Sequence, residues 1–132
     1  MRVMLDTNIL VSAIVFKSKI MLKIIQCIEN DHSMVLCSYI IDELRRVFKE
    51  KFPDCVNNLE RFLVKFPFEL VYTPEILPEH DLFAIRDKDD EKILYSAILA
   101  DVDILVTGDN DLLTVDLDRP EILSHLEFLE RY

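Results

Sequence analysis

Val3-Met4-Leu5-Asp6-Thr7-Asn8, resuming as the apolar stretch Ile9 to Phe16, decides how this chain folds. An apolar run that stops on a polar tripeptide and continues as an amphipathic segment reads as a buried strand feeding a helix. Asp6 then stands at the carboxyl end of a strand, the edge where open α/β sheets bind ligands. A buried unpaired charge is costly, so Asp6 needs a cation or a set of donors. The rest of the chain shows no obvious basic partner for it. It does show further acids at equivalent places, and that pattern points to a metal.

Working outward, apolar runs and helical periodicity alternate. Residues 2–5 are a strand and 8–16 a helix capped near Asp6-Thr7. A helix from Ser18 to Glu29 carries Ile20, Leu22, Ile24, Ile25 and Ile28, and Asn30-Asp31-His32 makes a turn. Met34 to Cys37 is the second strand. Ser38 is placed to cap a helix reaching Lys51, and Pro53 to open another at its favoured first position, ending at Phe66. Phe68 to Tyr72 is a third strand, followed by a loop from Thr73 to Leu82. Asp89-Asp90-Glu91 opens a helix to Ala100, its acids complementing the positive helix end. Ile104 to Thr107 is the fourth strand. After a loop, Ile122-Leu123 forms a short fifth strand, and Ser124 caps a final helix. Such alternation with short connections predicts an α/β fold with a parallel sheet covered by helices on both faces.

Composition narrows the function classes. Residues 1–132 suffice for one domain that buries roughly two-thirds of its unfolded surface. The net charge of −10 argues against a passive nucleic-acid coat, which relies on neutralising phosphates. It leaves room for an enzyme that meets phosphates through cations. The single glycine, Gly108, excludes the glycine-rich loops of dinucleotide-binding enzymes and P-loop NTPases. Cys27, Cys37 and Cys55, an odd number without C-x-x-C spacing, read as buried thiols in a reducing cytosol. The N-terminal apolar stretch is too short to span a bilayer and lacks a small-residue cleavage site, so neither a membrane segment nor a signal peptide is expected.

Each acid has a structural reading beside the functional one. Asp6 could simply cap the first helix. Glu43, at the border of the stripe Ile40, Ile41, Leu44, Val47 and Phe48, could be a solvated helix glutamate. Asp90, on the packed face of its helix beside Ile93 and Ala97, could serve the helix dipole, as Asp87, Asp89 and Glu91 do. Asp109 follows Gly108 in a turn signature, with Asp111 as an alternative or auxiliary ligand. Together, all four of Asp6, Glu43, Asp90 and Asp109 can converge on one sheet edge. Clustered carboxylates raise each other's pKa. Hard divalent ions with oxygen ligands, Mg²⁺ or Mn²⁺, remove that penalty and can drive displacement at a phosphodiester.

The ordered motifs Leu5-Asp6-Thr7-Asn8, Ile41-Asp42-Glu43-Leu44, Arg86-Asp87-Lys88-Asp89-Asp90 and Val106-Thr107-Gly108-Asp109-Asn110-Asp111-Leu112 resemble those of PIN-domain ribonucleases. The branch it is most similar to supplies the toxin components of toxin–antitoxin pairs (VapC-like), and the resemblance spans essentially the whole chain. It implies a three-layer α/β/α sandwich with a central parallel sheet and a Mg²⁺- or Mn²⁺-dependent endoribonuclease. Asp6, Glu43, Asp90 and Asp109 match the family's four acids, Asn8 the polar residue near the first, and Thr107 the hydroxyl before the fourth. The resemblance also implies an RNA substrate, an antitoxin protein as partner, a homodimer and a cytoplasmic location. Lys88 stands where relatives often carry proline, which leaves the acid in place but the turn less rigid.

Other features carry less. His32, His80 and His125 are isolated and share no metal-ligand spacing. Lys17, Lys19 and Lys23 read as a solvated face or as a grip on RNA backbone, which orients without specifying. A phosphatase or receiver-like acid pocket fits badly, because Asn8 stands where a phosphatase wants a second aspartate and Asp6 lacks the receiver's acid pair. A non-catalytic PIN-fold binding or scaffold module is the other alternative, and the intact acids argue against it.

Overall fold

The structure is a computed structural model that describes residues 1–77, 83 and 85–132. Five strands, β1 (Arg2–Leu5), β2 (Ser33–Cys37), β3 (Phe68–Val71), β4 (Ile104–Val106) and β5 (Glu121–Leu123), form one sheet in the order β3-β2-β1-β4-β5. Every pairing is parallel. The helices are α1 (Thr7–Ile14), α2 (Lys19–Asp31), α3 (Ser38–Lys51), α4 (Val56–Lys65), α5 (Lys88–Leu99), α6 (Asn110–Leu113) and α7 (His125–Arg131). This is the expected α/β/α architecture with a central parallel sheet.

The central strands are apolar throughout because both sheet faces are covered. Val3, Met4 and Leu5 of β1 and Leu105 and Val106 of β4 are fully buried. The edge strand β3 is only partly covered. The core continues into the helices through Leu10, Ile24, Ile28, Ile40, Leu44, Phe48, Leu94 and Phe128.

The strand order fixes where a site can form. From β1 the chain moves one way to β2 and β3, and later returns to the other side of β1 as β4 and β5. The carboxyl ends of β1 and β4 therefore border the topological switch point, the crevice in which α/β sheets hold ligands.

Several boundaries differ from expectation for local reasons. Ser38 does not cap α3; Cys37 occupies that position without a side-chain bond, and Ser38 Oγ instead accepts from Thr73 N at 2.9 Å. Pro53 opens a 3-10 turn, Pro53–Cys55, before α4 begins. The segment after β4, expected as loop, contains α6. The turn expected at 30–32 is mostly the last turn of α2. Ser124 does cap α7, in a reciprocal box with Glu127. Cys37 is buried, but Cys27 and Cys55 are only partly so, and all three are free thiols. His80 and the end of the loop expected at 73–82 lie outside the described residues. Among the described residues no helix is long and apolar enough to cross a membrane.

Candidate metal centre at the carboxyl edge

The parallel ladder between β1 and β4 runs one step past both strands and so brings Asp6 to Thr107. Leu5 is in register with Val106, Asp6 N donates to Val106 O at 3.1 Å, and Thr107 N donates to Leu123 O at 3.0 Å. Both residues are buried, Asp6 at 5% exposure and Thr107 at 0%. Thr107 Oγ1 donates to Asp6 Oδ2 at 2.5 Å and accepts from Asp109 N at 3.0 Å. One hydroxyl thus sets the positions of two acids.

The capping reading holds for Asp6 and Asp109. Asp6 caps α1, its Oδ1 accepting from Asn8 N at 2.9 Å. Asp109 caps α6 and accepts from Asp111 N at 2.8 Å. Asp87 caps α5, which places Asp90 in that helix's first turn. Helix starts that converge on one crevice gather their capping and first-turn acids there. Their positive ends offset part of the charge.

The structure brings Asp90, Asp109 and Asp111 together, with one carboxylate oxygen of each within 4.8 Å of the others. None of the ion pairs among the described residues involves these three or Asp6. The consequence is visible in their protonation. Burial and the neighbouring Asp109 carboxylate push Asp90 up to about 8, with Asp87 and Asp6 adding to the effect. Burial also raises Asp6 above its ordinary value, against the lowering by hydrogen bonds from Thr107, Asn8 and Ile9.

Glu43 is not part of that trio. It lies on α3, its side chain 17% exposed, with Tyr39 Oη donating to Oε2 at 2.9 Å and Arg46 Nη2 3.6 Å from the same oxygen. Asn8 contributes its backbone N–H, and its side chain is exposed. Lys17, Lys19 and Lys23 are exposed and form no ion pair among the described residues. Lys17 lines a cavity of about 750 Å³ between α1, α2 and α4, not the acid cluster.

Tyr39 is the contact residue that the sequence pattern alone did not single out. The signal was present: an aromatic hydroxyl four residues before Glu43 shares its helix face.

The donor set suits a hard divalent cation. Three converging carboxylates, with no nitrogen or sulfur ligand among them, are the chemistry of Mg²⁺ or Mn²⁺. Next in sequence to Asp6, the buried Thr7 hydroxyl has no hydrogen-bond partner among the described residues.

Comparison with known proteins agrees with this geometry. The PIN_3 family, described as PIN domain, matches residues 2–111. No curated protein matches the chain. Among solved structures, the chain is similar to VapBC2 from Rickettsia felis bound to a DNA fragment from their promoter. That match has a TM-score of 0.68 and 19% identity, and covers 93% of this chain and 97% of the other. At such identity the likeness shows the fold. The family match covers most of the sequence, and the chain belongs to the PIN-domain family.

Proposed function

We propose, from membership of the PIN-domain family, that this chain is a Mg²⁺- or Mn²⁺-dependent endoribonuclease that acts as the toxin of a toxin–antitoxin pair. The observation that carries the reading is the convergence of Asp90, Asp109 and Asp111 within 4.8 Å with no cationic side chain paired to them among the described residues. Asp6, held by Thr107 and adjoining Asp109, completes the edge. Glu43 approaches from α3.

In this reading Asp6, Glu43, Asp90 and Asp109 hold the ion, with Asp111 as a further ligand. A bound divalent ion supplies Lewis acidity and neutralises charge on the phosphodiester. The chain's own contribution is positional. Thr107 keeps Asp6 and Asp109 at fixed spacing, so their carboxylates need no reorganisation when substrate arrives. Asp90, with its proton affinity raised, would have to be ionised to serve as a ligand, so ion binding would be coupled to loss of its proton. The exposed side chains of Lys17, Lys19 and Lys23, away from the acid cluster, are available to the RNA backbone.

The partner follows from the same family reading. The Rickettsia felis structure is of VapBC2 on a promoter DNA fragment, and we extend to this chain a protein antitoxin as partner. A homodimer and a cytoplasmic site of action complete the proposal.

The direct test is incubation with end-labelled single-stranded RNA in Mn²⁺, in Mg²⁺ and in EDTA, beside an Asp90→Asn variant. Cleavage that needs the ion and is lost in the variant is the expected result. Cleavage unaffected by EDTA, or retained in full by the variant, would overturn the proposal.

A further inference from the structure

Tyr39 stands where three segments meet. It is the second residue of α3, and its backbone N donates to Thr73 Oγ1, just past β3, at 3.1 Å. Thr73 N donates to Ser38 Oγ at 2.9 Å, and the hydroxyls of Thr73 and Ser96, on α5, hydrogen-bond at 3.0 Å. Ser96 is buried at 1% exposure. These hydroxyls lock the start of α3 to the post-β3 segment and the middle of α5.

Beyond that clasp the Tyr39 side chain reaches the acids. Its hydroxyl donates to Glu43 Oε2 at 2.9 Å. Lys92 Nζ lies 4.9 Å from the ring centroid and 3.6 Å from Asp89 Oδ1. Glu43 Oε2 is also within 3.6 Å of Arg46, whose side chain is 57% exposed. Oε1 takes no hydrogen bond among the described residues. Two groups thus meet at one oxygen. A short charge-assisted hydrogen bond from a fixed ring prevails over a longer, solvent-screened pair on one helix face.

We infer that Tyr39 is a positioning residue, which holds the Glu43 carboxylate beside the first turn of α5, against the pull of Arg46, and leaves Oε1 for the metal centre. The inference rests on the metal-centre reading proposed for the acid edge and adds to it the residue that ties α3 to the cluster. Asp90 lies in that same turn of α5, so the direction in which Glu43 is held decides whether it can join Asp90 at one ion. The ring itself is anchored by backbone and clasp. The hydroxyl can therefore be removed without moving it.

The test is Tyr39→Phe, which keeps the ring, the Lys92 contact and the backbone bonds. Mn²⁺ affinity is measured by titration calorimetry, and the Mn²⁺-induced rise in melting temperature beside it. Tyr39→Phe should weaken Mn²⁺ binding about tenfold, the lower range for partners that orient metal ligands, and lower kcat for RNA with KM unchanged. Adding Arg46→Ala removes the competitor, so the double variant should regain most of the lost affinity, while Arg46→Ala alone leaves it as in the parent. If Tyr39→Phe binds Mn²⁺ as the parent does, changing only the melting temperature of the metal-free protein, the hydroxyl is structural and the inference fails. Weakened binding that Arg46→Ala does not restore also overturns it, because the competition is then absent. A parent protein that shows no Mn²⁺ response in either measurement removes the metal reading itself, and this inference with it.

Discussion

The two edges of the sheet carry similar acids and treat them in opposite ways. At the amino edge, Asp101 and Asp103 pair with Arg119 at 2.7 and 2.9 Å, and Glu69 pairs with Arg2 at 2.8 Å. Arg2 also donates to the carbonyls of Ala100 and Asp101 at the end of α5. The Arg2 backbone N–H, with help from Arg119, holds the Asp103 carboxyl below its usual range. At the carboxyl edge, Asp6 and Asp90 have raised proton affinities and pair with no arginine among the described residues. An acid with a cation beside it is part of the scaffold. An acid crowded among other acids is left without a compensating charge from any ion pair among the described residues.

The sharpest way to break this contrast is Asp6→Asn. Cleavage should fall at least about 100-fold, the size of loss known for groups that orient a metal. The variant should remain folded, since an amide oxygen still accepts from Asn8 N. Cleavage assays and circular dichroism check both halves, and activity close to the parent's would remove Asp6 from the site. Next in size is the response to metal. Mn²⁺ at a hundredfold its dissociation constant adds about 2.7 kcal/mol, which for a domain of this length raises the melting temperature by roughly 10 °C. EDTA should reverse the rise. Asp103→Asn, at the opposite edge, should leave it intact.

The pH dependence of stability should differ in sign between the edges. Asp90 moves from an ordinary 3.8 to about 8 on folding, so the folded state binds the proton more tightly. Its contribution is full below about pH 4 and is lost as pH rises toward 8. Asp103 is lowered on folding, so its contribution is present above pH 3.8 and is lost as pH falls through its folded value. In urea melts of the metal-free protein across pH, Asp90→Asn should flatten the neutral limb and Asp103→Asn the acid limb. A neutral limb unchanged by Asp90→Asn would show that the crowding is relieved in solution. The smallest expected effect is at the exposed lysines. Replacing Lys17, Lys19 and Lys23 by Ala should lower the salt slope of RNA binding by about 0.7 for each phosphate no longer neutralised, leaving Mn²⁺ affinity unchanged. An unaltered slope would assign these lysines to solvent.

The elements at the centre of the sheet were readable because parallel strands buried on both faces leave uninterrupted apolar runs, as in Val3-Met4-Leu5 and Ile104-Leu105-Val106. Asp6 and Asp109 were readable because they follow those runs. What escaped depended on distant contacts. The use of Ser38 is decided by Thr73, more than thirty residues away, so a local capping rule could not foresee it. Four residues of α6 are too few to show a helical period, although Asp109 before Asn110-Asp111 is the capping signal that marks it. The division of labour between Asp111, inside the trio, and Glu43, beside Tyr39, needed the crossing of α3 and α5. No spacing along the chain records that crossing.

The Thr107–Asp6 bond joins residues 101 positions apart, and this has a consequence for the order in which the molecule comes into being. Central strand β1 leaves the ribosome long before its neighbour β4. Closing so long a loop is entropically unfavourable until many other contacts are in place, which makes this pairing a late step in folding. A nascent chain that ends at Ala100 carries Asp6, Glu43 and Asp90, but it lacks the threonine that sets Asp6 and both acids that surround Asp90. Chains that stop before Thr107 are therefore without the complete acid edge, which is assembled only once Asp109 and Asp111 have been made.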